Sequence, residues 1–145
     1  MSPISNFRIE FELPREKRFD ARGVPVIELW VSGPDYVFQR VAGICDSGAS
    51  RTLLAKSTWE RLGYNVSATA ARYACNGLTH QILYVRQVLQ LRITAAGRPP
   101  IHVVLRAGLT NDIEENLFGA DLVEYFGLLV TRDRVTLLGD PVEEA

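Results

Sequence analysis

Val41-Ala42-Gly43-Ile44-Cys45-Asp46-Ser47-Gly48-Ala49-Ser50 is the stretch on which the reading of this chain turns. An apolar, β-branched run delivers a lone carboxylate, Asp46, into a turn of small residues. A carboxylate that activates water must be rigid and partly desolvated, which places it at the end of a buried strand. Ser47 is short enough to donate a hydrogen bond to a neighbouring backbone, and Gly48 leaves room for a second backbone to approach. Alone, the triplet is weak. Average usage yields some Asp-Ser/Thr-Gly in a chain of this size about one time in twenty, and Asp, Ser and Gly also favour ordinary turns. Context has to decide.

Working outward, the chain reads as mostly strand. Upstream, Val24 to Val31 and Tyr36 to Cys45 are apolar runs separated by Ser32-Gly33-Pro34-Asp35, a hairpin pattern. Phe7, Ile9 and Phe11 alternate with Arg8, Glu10 and Glu12 at the period of a half-buried strand. Pro14 to Gly23 reads as a solvated charged loop, because Glu16 and Asp20 interrupt its basic residues. Downstream, Ser57-Thr58-Trp59-Glu60 has the form of a capping box, and Gly63 stands where a short helix would stop. Asn76-Gly77 is the preferred pair for a two-residue hairpin turn. Leu89, Leu91 and Ile93 alternate with polar residues, and Ile101 to Leu105 follows the Gly97-Arg98-Pro99-Pro100 break. A second short helix is expected over Ala120 to Phe126, before closing strands at Leu128 to Thr131 and Val135 to Leu138. The expectation is an all-β fold with one or two short helices, in one domain spanning residues 1–145.

Asp46-Ser47-Gly48-Ala49, followed by Thr52, Leu53 and Leu54, resembles the active-site loop of retropepsin-like aspartic proteases. A second signature of that family, two apolar residues and a Gly before a short helix, is matched by Leu117-Phe118-Gly119 and Ala120-Asp121-Leu122-Val123, with Asn116 before it. Between the two, the family places a β-hairpin flap, where Asn76-Gly77 falls. The resemblance covers Val41 to Leu138 and implies a closed β-barrel with a flap hairpin and an active site at a homodimer interface. It departs from viral members at two positions. Where they carry an acid and an Arg that pair, this chain has Ser50 and Ala120, so both partners are missing together.

The resemblance further implies an aspartic endopeptidase in which two Asp46 carboxyls, one per subunit, share a proton and hold the attacking water. A single such triplet in 145 residues is too little for the two lobes of pepsin-like enzymes. Asp46, Ser47 and Gly48 are the implied catalytic residues, with Thr52 and Gly119 supporting them. The implied binders of an extended peptide are Ala49, Ser50, Leu53, Asn76, Gly77, Leu78 and Leu117, with Glu115 a further candidate. Ala49 offers the carboxylate no hydroxyl donor, so the activity optimum is expected in mildly acidic conditions. A peptide-binding or assembly module of the same fold that does not cut is the alternative. A barrel carrying a chance Asp-Ser-Gly turn would instead be a monomer.

Other chemistries fit poorly. Cys45, Cys75, His80 and His102 lack the spacing of a metal site, and no phosphate-cradling or dinucleotide loop is present, so neither metal nor cofactor is expected. The two cysteines are read as free thiols. A net charge of −1 gives no field for nucleic acid or a membrane surface. No apolar run is long enough to span a bilayer, and charges interrupt the N-terminal apolar residues; a cytoplasmic protein is the expectation.

Overall fold

The computed structural model describes residues 8–11, 26–46, 49–77, 80–93, 100–122, 128–130 and 135–138. Its strands are β1 (Arg8–Phe11), β2 (Val26–Ser32), β3 (Phe38–Cys45), β4 (Leu53–Leu54), β5 (Tyr73–Asn76), β6 (Gln81–Ile93), β7 (Ile101–Thr110), β8 (Leu117–Phe118), β9 (Leu128–Val130) and β10 (Val135–Leu138). The helix α1 runs over Lys56–Leu62. The charged loop expected at Pro14 to Gly23, the Gly97 to Pro99 break and most of the second expected helix lie outside the described residues. That helix does begin at Ala120, as its pattern implies.

Alternation drives the architecture. Leu89, Leu91 and Ile93 on β6 face Leu105, Val103 and Ile101 across an antiparallel ladder, and the β6 trio is almost fully buried. β7 runs five residues beyond its expected end at Leu105, because Ala107 and Leu109 continue the inward-facing series. The sheet order is β2-β3-β8-β4-β7-β6-β5, and β2 also pairs with β6 through Trp30 with Arg92 and Val31 with Leu91. The sheet therefore closes on itself, with β5 hanging from β6 outside the ring. Ile27, Leu29, Val31, Val41, Phe118 and Leu122 fill the interior. A separate antiparallel sheet, β1-β10-β9, joins the two ends of the described chain.

The hairpin between β2 and β3 forms as its turn residues imply, with Ser32 opposite Phe38. Two other local expectations fail. Asn76-Gly77 is not a two-residue turn, since Asn76 pairs with Gln81 as the last rung of β5 and β6. The Gly77 amide donates to the His80 carbonyl at 2.8 Å, one bond beyond that rung. This longer register sets Tyr73 against Tyr84, ring centroids 6.0 Å apart, and lets the Leu83 amide donate to the Asp112 carboxylate. Those tertiary partners outweigh the local preference for an Asn-Gly turn.

The capping box at Ser57 is not used either. α1 starts at Lys56 with Ala55 as its N-cap, without a side-chain cap. The Ala55 amide instead donates to Asn116 Oδ1 at 2.8 Å, while Asn116 Nδ2 donates to Ala42 O and Thr58 Oγ1. A buried amide side chain from a distant segment thus sets where the helix begins, and each donor or acceptor it satisfies would cost about 1–3 kcal/mol if left unpaired. Gly63 ends the helix as expected, at φ 102° in the left-handed region.

Cys45 closes β3 as a buried thiol, and burial pushes its pKa up to about 12. Below pH 9 the proton is on in both folded and unfolded chains, so the thiol leaves stability unchanged. Between pH 9 and about 12 the unfolded chain ionises first, and stability falls as pH rises. Urea denaturation at pH 8 and at about pH 10.5 should show this loss, reduced in Cys45→Ala. An equal loss in that variant would assign the alkaline sensitivity to other groups. Tyr64 is one such group, raised first by burial and then by Asp35.

Candidate active site

Parallel pairing of β3 with β8 brings the two sequence signatures side by side, Ile44 opposite Leu117 and Cys45 opposite Phe118. β4 lies on the other side of β8, with Leu53 opposite Leu117. Ala49 to Thr52 therefore run close over Gly119 on the way to β4. The Asp46 amide donates to Phe118 O at 2.9 Å, continuing the ladder by one bond. The Ala49 amide donates to Asp46 O at 3.1 Å, and the Ala120 amide to Ala49 O at 2.7 Å. Space explains the glycine. A Cβ on Gly119 would stand 2.7 Å from Ala49 O, Arg51 C and Arg51 O, all backbone atoms.

Asp46 is half-buried and opens into a cleft of about 700 Å³. Of the residues expected at the site, Ala49, Ser50, Leu53, Asn76, Gly77 and Leu117 line that cleft with Asp46, and so does Glu115. Thr52 and Gly119 are buried behind it. Ser47, Gly48 and Leu78 lie outside the described residues. The cleft's apolar lining is a small cluster of Leu53, Ile82 and Tyr84, with Tyr73, Cys75, Ile113 and Leu117 packed against it.

Several lining residues carried no signal as site residues in the sequence. Arg51 donates to Arg106 O at 2.7 Å, and its guanidinium lies 5.2 Å from the centre of the Tyr84 ring. Tyr84 stacks obliquely with Tyr73, over which Arg86 sits at 3.7 Å. This Arg-Tyr-Tyr-Arg series ties the base of the β5–β6 hairpin to the loop after Asp46. Gly108 makes room for it, since a Cβ there would meet both Tyr84 and Leu53 side chains under 3 Å. Cys75 also lines the cleft; its thiol pKa is raised by burial and eased down by Arg51. His80 contacts Asp112 O at 3.0 Å, and Asp112, Glu114 and Glu115 make one wall acidic. The period-2 placement of Ile82 and Tyr84 could have exposed their inward face; nothing local marks Arg51 or Asp112. Among the described residues no group of His, Cys, Asp and Glu is arranged to hold a metal ion, and no helix is long and apolar enough to cross a membrane.

A six-stranded closed barrel, with a loop arched over a glycine and a hairpin sharing its cleft, defines an architecture found in known structures. The chain is similar to a retropepsin-like aspartic protease from Rickettsia conorii, with a TM-score of 0.59 and 18% identity, covering 98% of this chain and 100% of that one. It is also similar to EIAV protease complexed with the inhibitor HBY-793, with a TM-score of 0.44 and 17% identity, over 73% of this chain and 90% of that one. No protein-family model and no curated protein sequence matches the chain. The fold is retropepsin-like.

Proposed function

We propose that the protein is an aspartic endopeptidase that works as a homodimer, with Asp46 of each subunit on either side of one water. The observation that carries this reading is the position of Asp46: half-buried, at the end of β3, opening into a cleft it shares with the β5–β6 hairpin of a retropepsin-like barrel. The reaction needs two carboxyls. One, ionised, takes a proton from the water as its oxygen attacks the scissile carbonyl carbon; the other, protonated, gives its proton to the carbonyl oxygen. Collapse of the resulting gem-diol breaks the C–N bond, and the proton taken from water passes to the leaving amine.

Within one chain, Asp112 on the acidic wall is tied to the hairpin, its Oδ2 accepting the Leu83 amide at 2.8 Å. A two-fold axis beside Asp46 supplies an identical partner without any further residue. Ser47 and Gly48 complete the catalytic turn in this reading, and Thr52 and Gly119 support it. Leu53 and Leu117 offer apolar side-chain pockets, Ala49 and Ser50 complete the floor, and Asn76, Gly77 and Leu78 form the flap that pairs with an extended peptide.

Purified protein incubated with unfolded casein should cut it, and a pepstatin-type inhibitor should stop the cutting. Intact casein across the acid range would remove the enzyme reading and leave a peptide-binding module. Sedimentation should find a dimer at concentrations where cleavage is seen; a monomer there would remove the shared site.

A further inference from the structure

The missing acid and Arg at positions 50 and 120 leave open what holds the Asp46 loop, and the structure assigns that task to Asp121. We infer that the Asp121 carboxylate is a positioning residue for Asp46, acting through Thr52; the inference rests on the protease reading above. Asp121 Oδ2 accepts the Thr52 amide at 2.9 Å and Oδ1 accepts the Thr52 hydroxyl at 2.7 Å. Oδ1 also accepts the Leu122 amide at 2.9 Å. Thr52 is fully buried, and its hydroxyl in turn accepts the Gly119 amide at 3.2 Å. Its carbonyl accepts the Gly108 amide at 2.9 Å. Every polar group of Thr52 is thus committed, three of its four bonds reaching the segment that follows β8.

The loop leaves β3 through the Asp46 amide on Phe118 O and is caught again six residues later by this clamp. Both anchors stand on one short stretch, residues 118–121. Charge is part of the device. A carboxylate meets three donors with two acceptor oxygens, and hydrogen bonds to an ionised acceptor are the stronger kind. An amide in its place loses at least one of the three, because its NH2 must face an N–H or O–H that is itself a donor. A dimer doubles the consequence, since the same displacement appears on both sides of the shared water.

The test uses the full chain with Asp121→Asn, Thr52→Val and Thr52→Ser. Asp121→Asn and Thr52→Val should each lower kcat about ten- to a hundred-fold, the scale of a reacting group displaced by about an ångström. KM should stay within about twofold, because the binding surface is not touched. Thr52→Ser restores the hydroxyl and should recover most of the kcat lost in Thr52→Val. The double variant should be no worse than the poorer single, as expected for two ends of one contact. Active sites are counted by titration with a tight-binding inhibitor; a loss wholly accounted for by fewer sites overturns the inference, as does an undiminished kcat in Asp121→Asn.

Amide hydrogen exchange reads the clamp without turnover. In Asp121→Asn, the Thr52, Gly119 and Leu122 amides should exchange at least about tenfold faster while those of β6 and β7 keep their rates. Unchanged exchange at those three amides, or equal acceleration throughout, overturns the clamp. If the wild-type chain cuts nothing, the protease reading falls and the exchange measurement still decides what Asp121 does.

Discussion

Asp46→Asn is expected to lower peptide cleavage by at least about 10³-fold while the dimer stays folded. The backbone bonds of Asp46, its amide to Phe118 O and its carbonyl to the Ala49 amide, are unaffected by the change, and the side chain is only half-buried. On the proposed mechanism the change removes the group that takes the proton from water, and a two-fold dimer would lose it from both sides at once. A mixing experiment separates this from a one-chain site. When equal amounts of wild-type and variant chains exchange, only about a quarter of the dimers carry two carboxyls. Activity per total chain should follow the square of the wild-type fraction. Activity proportional to that fraction would mean that each chain works alone, and full activity in the variant would remove Asp46 from the chemistry.

Gly119→Ala is expected to cost about 1–3 kcal/mol of stability and most of the cleavage activity. A methyl group at this position has no flexible side chain to push aside. It meets the carbonyl of Ala49 and the carbonyl carbon and oxygen of Arg51, so the backbone from Ala49 to Arg51 must lift. Lifting strains the Ala120 to Ala49 bond at 2.7 Å and moves the turn that carries the carboxylate. Urea unfolding and initial rates on one peptide substrate measure the two effects. Wild-type rates together with unchanged stability would mean that this backbone yields freely.

Much of the barrel is legible because its strands alternate strictly. Leu89, Leu91 and Ile93 declare an inward face that no other arrangement satisfies, and the run from Val41 to Cys45 announces a buried strand. The Asp46 loop and Leu117-Phe118-Gly119 were readable as two signatures. Their union depends on the parallel pairing of Ile44 with Leu117, which leaves no local trace. Where local rules and distant partners compete, the distant partners prevail. Asn76-Gly77 yields its turn because Leu83 and Tyr84 have fixed partners elsewhere, and Ser57 yields its cap because Asn116 already holds Ala55. Leu53-Leu54 is too short for any periodicity, yet it forms the strand beside β8. Asp121 looks like any helix-opening acid; only folding sets it against Thr52.

Closure of the barrel by two rungs, Trp30 with Arg92 and Val31 with Leu91, also bears on how the chain reaches its native state. Those rungs join segments roughly sixty positions apart, so the entropy of a long loop must be spent before they contribute anything. Acquisition of the native state is therefore expected on the millisecond-to-second scale of non-local β proteins. Until the seam shuts, the facing edges of β2 and β6 offer unpaired amides and carbonyls to any neighbouring polypeptide. The newly made molecule is most prone to aggregate in that interval.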